Sequence, residues 1–330
     1  MTFDYIAHLG DTAYLQKLLN ETGEIIIPRE NPLTGDAVWL IRRRLVLDSN
    51  TTVILDGAHL RLDDGVFEQI FTTEPEMGMD HTAKENIKIL GKNGAVLDGG
   101  NFNGLTEKTQ RKNGLPRVLN NSPIFFRNVD GFEISNLRIL EQRYWGMTFY
   151  NCCNGVIRDI DFEANNGAPN QDGIDLRMGC HHIVIENILG KTGDDTVALT
   201  ALRGRFRNPF IPEDACPDIH DVIIRNVVAE CTGGHGIIRL LCHDGCKVYN
   251  ITVEDILDKA VDGGRRSQAA IRIGDPNYSS ISHAKDEDMY NLTVRRVRTD
   301  APAAIKLHGN PANFVVEDID NKGGEILMKI

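Results

Sequence analysis

Apolar residues recur along this chain in one short phrase, apolar-x-apolar-x-x-apolar, and Asn, Asp or Arg mostly fill the two-residue break. The phrase reads Phe132-Glu-Ile134-Ser-Asn-Leu137, Ile183-Val-Ile185-Glu-Asn-Ile188, Val222-Ile-Ile224-Arg-Asn-Val227 and Ile251-Thr-Val253-Glu-Asp-Ile256. It returns as Leu292-Thr-Val294-Arg-Arg-Val297 and Phe314-Val-Val316-Glu-Asp-Ile319, with weaker copies at Ile157-Arg-Asp-Ile160 and Ile87-Lys-Ile89. Period-two alternation marks a strand, and a polar break before the next apolar position reads as that strand turning a corner. Taking the second apolar residue as a marker (134, 157, 185, 224, 253, 294, 316), the steps are 23, 28, 39, 29, 41 and 22 residues. The short steps leave no room for a strand, a packing helix and a return. They hold about three short strands and three turns, which is one coil of a parallel β-helix whose inward side chains bury on the next coil. Periodicity of 3.6 residues is absent and β-branched residues dominate, so helical repeats are set aside and the fold class is all-β.

The beginning departs from the phrase. Residues 11–19 (DTAYLQKLL) predict a short helix with Asp11 or Thr12 as N-cap. Residues 1–22 are then an N-terminal cap over the open end of the stack, which otherwise leaves apolar side chains and unpaired strand edges bare. Glu24 to Pro28, Leu45 to Leu47 and Thr52 to Leu55 read as the first coils. The pattern marks no boundary, so residues 1–330 are expected to form one domain.

Three polar motifs sit at related places in successive repeats: Asn170-Gln171-Asp172-Gly173, Gly193-Asp194-Asp195 and Gly234-His235-Gly236. Asp172 and Asp194 are 22 residues apart, close to one coil, and Asp195 and His235 are 40 apart, across a repeat with a 39-residue step. Coil stacking at ~4.8 Å per rung would therefore gather them on one face, with Arg272 from a later repeat beside them. Each motif alone is an ordinary turn; in series they are the ingredients of glycoside hydrolysis. That reaction needs a protonated carboxyl for the leaving oxygen and a carboxylate to activate water or attack. Crowded carboxylates raise one another's pKa and keep a proton available near neutral pH. Strict alternation would turn Asp172 inward with Ile174 and Leu176, and Asp195 with Val197 and Leu199. The strands are thus expected to begin after Gly173 and after Asp195, with the acids on outward corners that Gly173 and Gly193 make conformationally cheap.

Composition narrows the alternatives. With 41% hydrophobic residues the chain can bury a sizeable core, and its net charge of -11 argues against nucleic acid. The small basic clusters (Arg42-Arg43-Arg44, Arg203/Arg205/Arg207, Arg265-Arg266, Arg295-Arg296) read as solvated faces. Seven cysteines without a CxxC pair fit neither a zinc site nor a disulfide framework and read as buried free thiols. His181-His182 beside Cys180, and Cys242-His243 with Cys246, lack further ligands at metal spacing, so neither a metal nor any other cofactor is expected. No apolar run reaches membrane-spanning length and no leader pattern opens the sequence. As given it reads as cytoplasmic, or as secreted or periplasmic if a signal has been removed. Nothing in the pattern fixes an oligomeric state.

Asn170-Gln-Asp-Gly-Ile-Asp175, Gly193-Asp-Asp195 and Gly234-His-Gly236 together resemble the signature of glycoside hydrolase family 28, the polygalacturonase family of the pectin-lyase-like β-helix superfamily. The run from Asn86 to Gly99 resembles that family's first full coil, Tyr144-Trp145-Gly146 sits where the family tends to place a tryptophan, and the likeness spans roughly residues 50 to 320. The resemblance implies a right-handed, single-stranded parallel β-helix and an inverting, metal-free hydrolysis. It implies Asp194 as general acid, Asp172 and Asp195 as the carboxylates that activate water, His235 as support for the acid, and Arg272 as the arginine of an Arg-Ile-Lys motif. Asn170, Gln171, Arg203 and Lys306 complete the expected substrate-binding set. Two positions depart from the family: Gln171 stands where threonine is usual, and Gly274 replaces the lysine that holds a uronate carboxylate. Lys306 and Arg266 are the candidates to take that lysine's place.

Two insertions, residues 203–218 (RGRFRNPFIPEDACPD) and 274–289 (GDPNYSSISHAKDEDM), are expected to wall the ends of a cleft and favour short or chain-end substrates. The implied function is hydrolysis of a pectin-type or other acidic polysaccharide or oligosaccharide. Two rivals remain at this level: a β-helix lyase or epimerase, which favours a Lys, Arg or Tyr base with calcium, and a non-catalytic carbohydrate-binding, tailspike-like β-helix.

Overall fold

The computed structural model describes residues 8–75, 82–113, 117–165, 167–203, 210–278 and 280–330. It is a right-handed parallel β-helix. Each of the first three coils carries three separate strands, as in Thr52–Asp56, His59–Leu62 and Phe71–Thr72, and from Val129 on every coil carries one long and one short strand. The long strands, such as Cys153–Glu163, His181–Thr192 and Ile219–Cys231, join one 13-stranded sheet; the short ones, such as Ile174–Arg177, Val197–Ala201 and Ile238–Cys242, join a 10-stranded sheet. In each of these pairings a strand lies parallel to its counterpart one coil on. Inward residues of the short strands, Met147 and Phe149, Ile174 and Leu176, Val197 and Leu199, Ile238 and Leu240, Ile271 and Ile273, are fully buried in register.

The three-strand, three-turn coil expected from the phrase holds in the first three coils and is modified at one corner in the later ones. Each long strand covers two faces, and the bend between them is a single left-handed residue: Asn136, Asp159, Asn187, Asn226, Asp255, Arg296 or Asp318, all with φ between 51° and 58°. This is the second polar position of the phrase. Asparagine and aspartate tolerate that conformation because a short polar side chain can hydrogen-bond locally. Here the bonds run between coils: Asn226 Nδ2 donates to Asn187 Oδ1 (2.7 Å) and Asn187 Nδ2 to Asp159 Oδ1 (2.8 Å). Replacing Asn226 by Ala removes a rung and puts a Cβ-bearing residue without a local partner at φ 54°. It is expected to cost about 1–2 kcal/mol in a denaturant melt, and Asn226→Gly less.

The N-terminal helix runs Asp11–Thr22 and buries Leu15 and Leu19 on the first coils, as a cap should. Its N-cap differs from expectation: Gly10 holds that position. Asp11 is instead buried, accepting from Leu40 N–H (2.8 Å) and pairing with His8 Nδ1 (2.7 Å), while Thr12 Oγ1 accepts from Arg42 N–H (3.0 Å). Both side chains tie the helix to the sheet below it. Among the described residues no helix is long and apolar enough to cross a membrane.

Candidate active site

The corner that leads into the short strands gathers the acids. The Ile174–Arg177 and Val197–Ala201 strands begin just after Gly173 and Thr196, leaving Asp172 and Asp194-Asp195 on successive rungs of that corner. Gly173 N–H donates to Asp195 C=O (3.0 Å) and Gly193 N–H to Gln171 C=O (2.9 Å), which fixes one motif on the other. The two glycines serve the corner for a reason other than the expected one. Neither adopts a positive φ. A Cβ on Gly173 would sit 2.4 Å from Thr196 C=O, and one on Gly193 would sit 2.8 Å from Gln171 Cβ. Space between coils demands glycine here.

Asp172, Asp194 and Asp195 each place a carboxylate oxygen within 4.8 Å of the others. Asp195 is 1% exposed and Asp172 6%, whereas the Asp194 side chain is 16% exposed, the most open of the three. Burial first, then Asp175, Asp194 and Asp195, raise the Asp172 carboxyl well above the usual carboxylate range. Burial pushes Asp195 up to about 6, with Asp194 raising it and Arg239 and Arg272 opposing. The crowding therefore favours keeping a proton among the three carboxyls, and its titration belongs to the group. His235 Nδ1 lies 3.9 Å from Asp194 Oδ1, an ion pair when protonated and longer than a hydrogen bond, and its N–H donates to Cys231 Sγ.

After the corner, parity places alternate residues of the short strands outward. One outward column runs Thr148, Asp175, Ala198, Arg239, Arg272 and Lys306 in register. Arg239 Nη1 reaches Asp195 Oδ2 (3.5 Å) and its Nη2 reaches Asp275 Oδ2 (3.2 Å). Arg272 stands 3.7 Å from Asp195 Oδ1 and 3.6 Å from Asp275 Oδ2. Arg177, the next outward residue after Asp175, lies over the Trp145 ring (4.7 Å), and Trp145 stacks on Tyr144. Asp172 Oδ1, Asp175 Oδ2, Asp195 Oδ1, Arg177 Nε and Arg272 Nη1 are buried without a hydrogen-bond partner among the described residues. Such orphans are rare, and their clustering marks a place built for another molecule.

Some expected residues lie elsewhere. Gln171 is 1% exposed and its amide donates to Gln142 C=O (2.7 Å), so it props the corner from below. Asn170 is half-buried in the left-handed region just before it. Arg203 is exposed, past the far end of the Val197–Ala201 strand and near Cys246, away from the acids; Arg205 and Arg207 lie outside the described residues. Arg266 is turned aside, its guanidinium on Asp300 and Gly323 C=O. Lys306 alone of the two candidates stands in the arginine column. Gly274 has φ 71°, and a Cβ there would meet His308 C=O at 2.8 Å, so no lysine fits. Sequence reasoning missed Arg177, Arg239, Asp275 and Tyr278 and gave Asp175 no role. The missed signal was parity: Ile238-Arg239-Leu240 alternates in, out, in, just as Ile271-Arg272-Ile273 does one coil later.

The described parts of both insertions, from Phe210 on and around Asp275 to Tyr278, lie on this face. Phe210 packs on Tyr150 (4.8 Å) and Phe125 (5.9 Å), covering the coils before the acids. Tyr278 lies against the Arg239 guanidinium (4.9 Å) and, with Asp275, covers the arginines.

Comparison with known proteins agrees with this arrangement. The family model for glycosyl hydrolases family 28 matches residues 46–257, more than half of the chain. The chain belongs to that family. An exopolygalacturonase of Zea mays is 27% identical over 192 residues, 56% of this chain and 42% of that protein, so the match spans less than half of the relative's length. The solved exopolygalacturonase from Thermotoga maritima has 18% identity and a TM-score of 0.58, covering 93% of this chain and 83% of its own. The endo-xylogalacturonan hydrolase from Aspergillus tubingensis has 13% identity and a TM-score of 0.60, covering 96% and 91%. At these identities the two structures speak for the fold.

Proposed function

We propose that this protein hydrolyses glycosidic bonds in a pectin-type polysaccharide or its fragments, acting at chain ends. The observation that carries the reading is the cluster of Asp172, Asp194 and Asp195, with oxygens within 4.8 Å, set beside the half-buried Arg239 and Arg272 on one outward corner. Asp194 is the member open to an entering sugar and gives the proton to the leaving oxygen as the bond to the anomeric carbon breaks. Water attacks that carbon and yields its own proton to the carboxylate of Asp195 or Asp172. His235 supports Asp194. Arg239, Arg272 and Lys306 offer positive charge to a uronate carboxylate in place of the lysine that Gly274 excludes, which favours an acidic sugar. Phe210 and Trp145 flank the acids on the side of the earlier coils, which favours a chain end over a chain interior.

Stereochemical inversion rests on the motif resemblance alone. The test is reducing-end release over a panel of galacturonan, xylogalacturonan and neutral polysaccharides, with product size and the anomer of fresh product read by NMR. Galacturonans are expected to be cut to the shortest product with the inverted anomer first, and Phe210→Ala to release longer products. Release from neutral polymers only would refute the uronate reading, initial retention the inverting one, and an unchanged product size in Phe210→Ala the chain-end one.

A further inference from the structure

A second cluster lies on the long-strand sheet, at the turn that follows the short strands, whereas the acids lie at the corner before them. At the start of each long strand one residue is left-handed, in a column that register aligns as Asn86, Gly131, Asn154, His182, Asp221, Asn250, Asn291 and Asn313. Gly, Asn and Asp are what such a position favours, and His182 is the departure. The amide ladder of this column runs from Asn313 to Asn291, Asn250 and Asp221 at 2.8–2.9 Å. At the next rung stands an imidazole, and Asn154 beyond it donates instead to Asp130. A residue that breaks a local rule is where function is expected.

The left-handed turn brings His182 onto the same side as its chain neighbour. His181 and His182 have their Nδ1 atoms 2.8 Å apart. His220, one coil on and in register with His181, adds a third imidazole, and all three offer a ring nitrogen within 4.8 Å of the others. His220 Nδ1 lies 2.6 Å from Asp221 Oδ2, which also stands 3.9 Å from His182 Nε2. A carboxylate accepting from Nδ1–H fixes the tautomer and leaves Nε2 as the free lone pair, the arrangement that orients a metal-bound histidine.

We propose that His181, His182 and His220 bind a divalent transition metal ion of the zinc and copper class, with Asp221 as the orienting carboxylate. Three imidazoles suit those ions. The His181 and His220 rings lie flat on one another, 4.8 Å apart and 1° from parallel, so their lone pairs do not converge. Capture turns one ring about χ2 off the stack, and His182, 56% exposed, gives the route of entry. The ion clips two coils together on either side of the 203–218 insertion and takes no part in hydrolysis.

The test is calorimetric titration of the chelator-stripped full chain with Zn2+, beside His182→Asn, which restores the residue type the column otherwise carries, and His220→Gln. The wild type is expected to take up one equivalent with a rise in Tm, and either substitution to weaken binding by at least ~10-fold. His182→Asn should keep its unliganded Tm and its hydrolytic activity. With Cu2+, EPR should show nitrogen hyperfine structure that His182→Asn reduces. No Zn2+ uptake overturns the proposal. So does uptake that both substitutions leave unchanged, which would place the ion on the Asp172, Asp194 and Asp195 carboxylates instead.

Discussion

Asp194→Asn is expected to lower kcat by about 10²- to 10⁴-fold while KM stays near its wild-type value, because the change removes a transferable proton and leaves the shape of the site intact. Asp194 Oδ1 accepts from Asp195 N–H (3.0 Å), a bond the amide oxygen of asparagine keeps. When ionised, Asp194 raises both Asp172 and Asp195, and asparagine never carries that charge. Their carboxyls then ionise at lower pH, so the acidic limb of the residual activity should move down. Both effects come from one measurement, kcat and KM from reducing-end release across pH. Wild-type kcat in the variant would take the acid role away from Asp194.

Arg239→Met is expected to lower kcat/KM on a galacturonan by about 10²-fold or more and to move the acidic limb the other way. The guanidinium 3.5 Å from Asp195 Oδ2 favours the carboxylate form against burial, which pushes Asp195 up to about 6. Without the cation, Asp195 ionises only at higher pH, and the limb should rise by about one pH unit or more. Stability falls as well, since Asp195 and Asp275 lose a partner; removing one member of a buried pair costs about 3–5 kcal/mol. Arg272 still stands within 3.7 Å of both acids, which favours the lower end of that range. Rates are therefore compared below the variant's Tm, with Arg239→Lys as the variant that keeps charge and loses the planar fork. An unchanged acidic limb in Arg239→Met would show that Arg239 does not tune the acids.

How much of this was legible depends on whether the signal was local or one coil away. The phrase ending at Leu137, Ile188 or Val227 carries its own strand and its own corner, so the coil could be read from it, though not the left-handed conformation that Asn226 takes at the break. The stacking of Asp172 on Asp195 followed from coil length. The reason for Gly173 did not, because a close approach to Thr196 C=O involves a residue one coil on and leaves no mark in the local sequence. Arg239 was hidden for a related reason: alone it is one arginine in a strand, and only register with Arg272 makes it part of a site. Arg266 and Arg203 failed oppositely, being basic residues near the motifs in sequence that lie outside the short strands, Arg266 before Ala269–Ile273 and Arg203 past Val197–Ala201. His220 lies 38 residues beyond His182, so a pair that lacked a third ligand at metal spacing gained one only through folding.

The central claim is that these carboxylates direct water onto a sugar. It is tested most directly by letting the protein act on galacturonan in heavy-oxygen water and weighing the products. One solvent oxygen should appear at each new reducing end, at a rate that Asp194→Asn suppresses. Cleavage that incorporates no solvent oxygen and leaves an unsaturated sugar, or binding with no cleavage at all, would contradict the account.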